Sequence, residues 1–333
     1  MVEFEESLLD GPGQAVSGDM FRLMDPVSQR MMGVRPDITP QVARIAVTRL
    51  ADAPRPLRLS YAGQVLRVRG SQLRPERQFA QIGVELIGAA DQAADAEVVA
   101  LAGQALTGLG VEGLSIDLNL PTLVPLVCQD LGMDAGQADQ ARLALDRKDA
   151  AAVAEIGGEA GHLLSDMLAA AGPAATALDK LKACALTGAA AAQVAELAEV
   201  VGLIGAAAAD LSLTVDATEY RGLEYQSGIC FTIFARNVRG ELGRGGRYVL
   251  ASGETATGFS LFGDSLLRAL PPSQNGLAVF LPADTAPAQA AKLRLEGWSA
   301  IQGFAAVSDT QAEAVRQGCT HYLDGAEVKP VAS

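Results

Sequence analysis

Three observations predict an α+β fold. Apolar and polar residues alternate at strand period between Leu57 and Ile87 and again from Leu211 to Phe262. A stretch rich in alanine and leucine, with the marks of short helices, separates those two strand regions. After a proline-containing break the chain closes with alternating strand and helix patterns. The expected organisation is an antiparallel sheet built from residues 1–120 and 211–270, a helical insertion at 121–210, and a small α/β module at 276–333. A length of 333 residues fits about two or three domains, at roughly 150 residues per domain.

The elements follow in order. Leu57 to Val68 alternates as a strand, an arginine-rich loop follows, and Phe79 to Ile87 alternates again, which is the pattern of an antiparallel hairpin. Asp91 stands where a cap should be, before a helical spacing that runs to Thr107, and Leu114–Leu120 is a strand. Several short helices fill 121–210. Strands return at Leu211–Asp216 and Tyr225–Ala235, and Gly240–Gly246 reads as a glycine-rich turn. Thr257–Phe262 is a strand leading into a helix at Asp264–Leu270. Pro271-Pro-Ser-Gln-Asn-Gly is a linker by its turn residues. Beyond it, strands at Leu277–Leu281, Ala300–Phe304 and His321–Leu323 alternate with helices at Thr285–Glu296 and Asp309–Gln317, as in a small parallel sheet.

Composition narrows the function. The formal net charge is −13, whereas most nucleic-acid binders rely on cations that neutralise phosphates. The four cysteines are scattered without a C-x-x-C pair, and there are only two histidines. Neither a metal site nor a disulfide framework is expected, in keeping with a reducing cytosol. The N-terminus has no basic and apolar leader pattern, and no uncharged apolar run reaches the ~18 residues of a membrane span. The expectation is a cytoplasmic protein with no nucleic-acid or membrane partner.

No cofactor motif stands. Gly108-Leu-Gly110-Val-Glu-Gly113 matches G-x-G-x-x-G but follows a helix and precedes a strand, the reverse of the dinucleotide-binding order. His162 and His321 lack the neighbours of a catalytic triad. No Walker A or H-E-x-x-H sequence occurs, and Gly243-Arg-Gly-Gly-Arg-Tyr reads as a turn before it reads as a phosphate cradle.

Recognition chemistry concentrates in three separated segments, Val34–Gln41, Phe79–Glu85 and Tyr220–Phe231, with an arginine cluster between the first two. Arg67, Arg69, Arg74 and Arg77 put four guanidinium groups within eleven residues. They are either a solvated hairpin tip or an anion site, since guanidinium matches phosphate and carboxylate in bidentate fashion. Gln81 and Glu85 share one face of a strand at i, i+4. Arg221 and Tyr225 sit at the mouth of an apolar strand. Taken singly, Asp37 or Glu85 would be a structural ion pair.

Together these segments resemble the amino-acid pocket of histidyl-tRNA synthetases, and the chain resembles most the regulatory subunits of ATP phosphoribosyltransferase, paralogues that keep the class II synthetase fold without its chemistry. In that resemblance Asp37 and Thr39 stand where the family holds the α-amino group. Arg67 stands at the second signature motif, where the family's arginine contacts phosphate or the amino-acid carboxylate. Gln81, Glu85, Arg221 and Tyr225 complete a histidine pocket with carboxylates for an ammonium, an arginine for a carboxylate and an acceptor for an imidazole N–H. Several positions depart from the synthetases. Arg69 replaces a glutamate that reads adenine, and a guanidinium has no acceptor for that contact. Ser265 replaces the arginine under the triphosphate, Gln226 replaces a second tyrosine, and the first signature motif is mostly absent ahead of Val2. The segment after Gly276 loosely resembles the synthetases' anticodon-binding domain, yet carries four Lys/Arg against six Asp/Glu, the wrong sign for gripping RNA.

The resemblance implies a non-catalytic subunit without a cofactor. Its partners would be the short-form ATP phosphoribosyltransferase catalytic subunit and the effector histidine, in a homodimer within a hetero-oligomer. The alternatives are a divergent histidyl-tRNA synthetase or a histidine-binding protein with another partner.

Overall fold

A computed structural model describes residues 1–9, 11–70, 75–219, 226–271 and 277–331, with Pro12 described by its backbone alone. The chain divides into two compact units, Met1–Leu270 and Pro271–Ser333.

In the first unit, β1 (Val2–Phe4), α1 (Glu5–Leu8), a 3-10 segment (Gly11–Asp19), β2 (Phe21–Met24) and β3 (Met31–Val34) precede α2 (Thr39–Thr48). The three strands form a small antiparallel sheet in the order β1-β3-β2, which the sequence reading did not anticipate because each strand is too short to show a period. It is tied to α2 by Arg44, which donates to Glu3 and to the Ser7 carbonyl, each at 2.6 Å.

The main sheet starts with β4 (Leu57–Leu66) and β5 (Gln78–Ile87), the expected hairpin, followed by α3 (Gln92–Gly108) and β6 (Leu114–Asn119). Asp91 caps α3 by accepting from the Ala93 N–H at 2.8 Å, which satisfies one of the unpaired amides at the helix start. Six helices come next: α4 (Leu123–Asp130), α5 (Ala135–Asp146), α6 (Ala150–Glu155), α7 (Gly158–Ala169), α8 (Ala174–Ala183) and α9 (Gly188–Ala207), with a two-residue strand β7 (Gly172–Pro173) between α7 and α8. The sheet resumes with β8 (Ser212–Val215), β9 (Gln226–Ala235), β10 (Gly243–Val249) and β11 (Thr255–Phe262), and α10 (Gly263–Ala269) ends the unit. Strand order is β4-β5-β11-β10-β9-β6-β8-β7.

Two sequence expectations change here. The sheet is mixed, since β6 and β8 run parallel and only the remaining pairings are antiparallel; the helical insertion supplies the long crossover that a parallel pair requires. Gly240–Gly246 is only partly a turn: residues 240–242 end the connection from β9, whereas Gly243–Val249 is β10, hydrogen-bonded between β9 and β11 in the sheet interior. Its glycines suggested a loop, but they admit close neighbours on the sheet faces.

The back of the sheet carries the main core, in which Val98, Val99 and Leu106 of α3 and Val194, Leu197, Val200 and Ile204 of α9 pack with Ile116, Phe231 and Ile233. The front carries α2, whose Ile38-side residues Val42 and Ala43 pack on β4, β5, β10 and β11. The expectation of no membrane-length apolar run needs qualification, because α9 has 20 residues at mean hydropathy 1.4. Glu196 and Glu199 lie within it, and Val194, Leu197, Val200 and Ile204 turn into the core of the first unit while Leu203 is exposed.

The second unit holds β12 (Ala278–Leu281), α11 (Pro287–Leu295), β13 (Ser299–Gln302), α12 (Thr310–Arg316), β14 (His321–Asp324) and β15 (Glu327–Pro330). The sheet order is β13-β12-β14-β15, with parallel pairs at its centre and an antiparallel edge strand, β15, that the sequence reading missed. Val279 and Leu281 pack against α11 while Phe280 packs against α12, so the helices cover opposite faces, as strand alternation dictates.

Candidate ligand-binding recess

The front of the sheet opens into a tight polar recess between the start of α2 and strands β5, β10 and β11. Five residues singled out from sequence line it together: Asp37, Thr39, Arg67, Gln81 and Glu85. They come from the start of α2, the end of β4 and the inner face of β5. Arg221 and Tyr225 lie outside the described residues, as does Arg74. Arg69 is exposed on the loop after β4, apart from the recess lining.

Gln81 organises the floor. Its Nε2 donates to Asp37 Oδ1 at 2.8 Å and Ser260 Oγ at 2.7 Å, and its Oε1 accepts from the Ile38 N–H at 3.0 Å. Asp37 Oδ1 also accepts from the Thr39 N–H at 2.9 Å, an Asx-type bond that fixes the entry to α2. Tyr61 Oη contacts Thr39 Oγ1 at 3.1 Å and Ser260 Oγ at 2.9 Å. Among the described residues, these bonds form without a cation.

Glu85 is 2% exposed and accepts from Tyr248 Oη at 2.9 Å. Burial pushes its carboxyl up to about 8; the Tyr248 hydroxyl works against that shift, and the neighbouring Asp37 charge adds to it. Burial also raises the Tyr61 phenol well above its ordinary value. Among the described residues, neither Asp37 nor Glu85 has a basic partner. The structural ion pair that would explain either residue alone is absent there. Arg67 lies across the recess; its Nε donates to the Pro36 carbonyl at 3.1 Å and its guanidinium sits 5.3 Å from the centre of the Phe79 ring.

Two glycines make this geometry possible. Gly258 pairs with Glu85 across β11 and β5, and a Cβ there would fall 2.1 Å from Glu85 Oε2 and 2.5 Å from the Val84 carbonyl. Gly83 faces Tyr61, where a Cβ would fall 2.2 Å from the ring. Gly258→Ala is therefore expected to displace the Glu85 carboxyl and cost about 1–3 kcal/mol, read as a lowered midpoint in urea; an unchanged midpoint would contradict the packing described.

Sequence reading missed Tyr61, Tyr248, Ser260 and Arg244. Gln226 was singled out only as a departure, and it lines the recess as well. Arg244 pairs with the buried Glu241. The signal was the period-two set 244, 246 and 248, facing 258 and 260 across β10 and β11, hidden when Gly240–Gly246 was read as a turn. Ser265 lies buried in the first turn of α10, and its Oγ accepts from Arg268 Nη2 at 3.1 Å. Arg268 in turn pairs with Glu76 at 2.9 Å and with Asp264, so the cation of this helix is engaged with carboxylates one turn beyond Ser265. Among the described residues no three His, Cys, Asp or Glu side chains cluster to hold a metal.

Comparison with known proteins agrees with this architecture. The histidyl-tRNA synthetase family model matches residues 1–266. The ATP phosphoribosyltransferase regulatory subunit of Paramagnetospirillum magneticum is 57% identical over 97% of this chain and 85% of its own length. That of Rhodospirillum centenum is 55% identical over 99% of this chain and 86% of its own. A solved structure from Bacillus halodurans, described as an ATP phosphoribosyltransferase regulatory subunit/histidyl-tRNA synthetase, superposes with a TM-score of 0.78 at 26% identity, covering 94% of this chain and 85% of that one. With a class II synthetase-like fold, a family model that matches residues 1–266 and relatives of this identity over nearly its whole length, the chain belongs to the family of ATP phosphoribosyltransferase regulatory subunits.

Proposed function

We propose that the chain regulates ATP phosphoribosyltransferase in the first step of histidine biosynthesis, activating a short-form catalytic subunit and binding histidine in the recess as the inhibitory signal. The observation that carries the ligand assignment is the pair of buried carboxyls, Asp37 and Glu85, with no basic partner among the described residues and with Arg67 across from them. Such a site complements a molecule that carries an ammonium, a carboxylate and a further N–H donor. Asp37 and Thr39 would hold the amino group, Arg67 the carboxylate, and Glu85 an imidazole N–H, with Gln81 holding the floor rigid. Arg221 and Tyr225 belong to the same proposal. The assembly would be a homodimer within a hetero-oligomer in the cytoplasm.

The rival is a working synthetase. Adenylation needs a cation on the transferring phosphoryl oxygens, and Ser265 stands where that cation would be, with Arg268 tied to Glu76. Two assays separate the readings. The chain should raise phosphoribosyl-ATP formation when mixed with a short-form catalytic subunit, and should show no histidine-dependent ATP–pyrophosphate exchange. Exchange above a blank without protein, or no effect on the catalytic subunit, would overturn the regulatory reading.

A further inference from the structure

One helix end in the insertion departs from five others of the same geometry. α3, α4, α6, α11 and α12 each stop with a left-handed residue just after the C-cap, and it is glycine every time: Gly110 (φ 86°), Gly132 (66°), Gly157 (70°), Gly297 (90°) and Gly318 (72°). α5 ends with the same backbone pattern. The Asp149 N–H reaches the Ala144 carbonyl at 2.9 Å and the Lys148 N–H reaches Leu145 at 3.0 Å, but the left-handed residue is Lys148, at φ 57°. An L side chain is strained in that conformation, and glycine is the usual occupant.

What the lysine does there is visible at its other end. Its ammonium pairs with Asp216 and donates to Thr218 Oγ1 at 3.1 Å. The Asp216 side chain is only 14% exposed, and its Oδ1 accepts from the Thr218 N–H at 3.2 Å and the Thr218 hydroxyl at 2.9 Å. Thr218 and Glu219 are buried. From the sheet side, the Leu118 carbonyl accepts from the Asp216 N–H at 3.0 Å and Asn119 Nδ2 donates to the Glu219 carbonyl at 3.3 Å. Asp216–Glu219 is thus held between the end of β6 and the insertion, and the chain runs on from it to β9, whose first residue, Gln226, lines the recess.

We propose that Lys148 is a positioning residue through which the helical insertion fixes the Asp216–Glu219 segment ahead of β9, so that losing the tether weakens ligand binding in the recess without touching any group that lines it. The proposal rests on the histidine-binding reading above. Strain retained at a site where glycine serves elsewhere points to such a role; a half-exposed lysine pair kept for stability alone would gain little.

The test uses the full chain. Lys148→Gly relieves the backbone strain, so its melting temperature should stay level or rise while calorimetry with histidine shows affinity reduced roughly three- to tenfold. Lys148→Arg should retain most of the affinity, Asp216→Asn should lose about as much as Lys148→Gly, and the double variant should lose little more. Hydrogen exchange without ligand should be faster at Asp216–Glu219 and at the start of β9 in Lys148→Gly. Wild-type affinity in Lys148→Gly, additive losses in the double variant, or unchanged exchange would overturn the tether. Absence of histidine binding by the wild-type chain would sink the histidine reading instead, and the exchange comparison would still decide the tether.

Discussion

Glu85→Gln is expected to weaken histidine binding by roughly 10- to 100-fold and at the same time to flatten the chain's loss of stability between mildly acidic and mildly alkaline pH. The substitution keeps size and shape, and a Gln oxygen can still accept from Tyr248. What it removes is the ability to become an anion. A charge-assisted contact is worth about 1.5–3 kcal/mol, so affinity should fall by roughly 10- to 100-fold. If burial holds the empty site's carboxyl at about 8, binding a group with a partial or full positive charge should drive a proton off Glu85. Calorimetry in two buffers of different ionisation enthalpy should then show proton release at pH 7 in the wild type and none in Glu85→Gln.

The stability effect has a definite sign. The folded pKa of about 8 lies above the ordinary 4.5, so the folded chain keeps this proton while the unfolded chain loses it. The contribution is therefore fully present below about pH 4.5, falls as pH rises, and is lost by about pH 8. Carboxylates held in ion pairs behave oppositely. Glu85→Gln should accordingly gain on the wild type in urea midpoint from pH 5 to pH 8, whereas parallel midpoints across that range would mean that Glu85 ionises normally.

How much of this was readable in the sequence depended on whether a residue's partner was local. β4, β5 and α3 announce themselves through alternation and through the Asp91 cap, and the i, i+4 placement of Gln81 and Glu85 follows from strand period alone. Asp37 and Thr39 are legible only through the family resemblance, since the helix they open, α2, was not read from the sequence. Tyr248 and Ser260 are not, because their roles exist only when β5, β10 and β11 align in register. Glycine-rich β10 was the main obstacle. Its small residues serve close approach inside a sheet, but the same composition signals a turn when no neighbours are visible. The parallel β6–β8 pair was hidden for a related reason: strand direction depends on how the six-helix insertion returns the chain, and no residue in either strand encodes that.

The second large effect concerns separation of activation from inhibition. Arg67→Met keeps an unbranched apolar stem against Phe79 and removes the guanidinium that faces the recess, so the fold should be spared while a ligand carboxylate loses its partner. If contact with the catalytic subunit activates and the recess only reports histidine, the Arg67→Met chain should still assemble and still activate. Histidine then has no differential affinity with which to shift the complex, and inhibition of the usual allosteric size, about 1–3 kcal/mol, disappears. The recess would be acting as a sensor, in keeping with a serine at 265 and with Arg268 engaged by Glu76 and Asp264.

The most direct measurement is phosphoribosyl-ATP formation by a short-form catalytic subunit reconstituted with either wild-type or Arg67→Met chain, with and without saturating histidine. The account predicts equal rates without histidine, strong inhibition of the wild-type complex and an Arg67→Met complex that stays active. Equal inhibition of both complexes would contradict it, because the inhibitory site would then lie outside this recess.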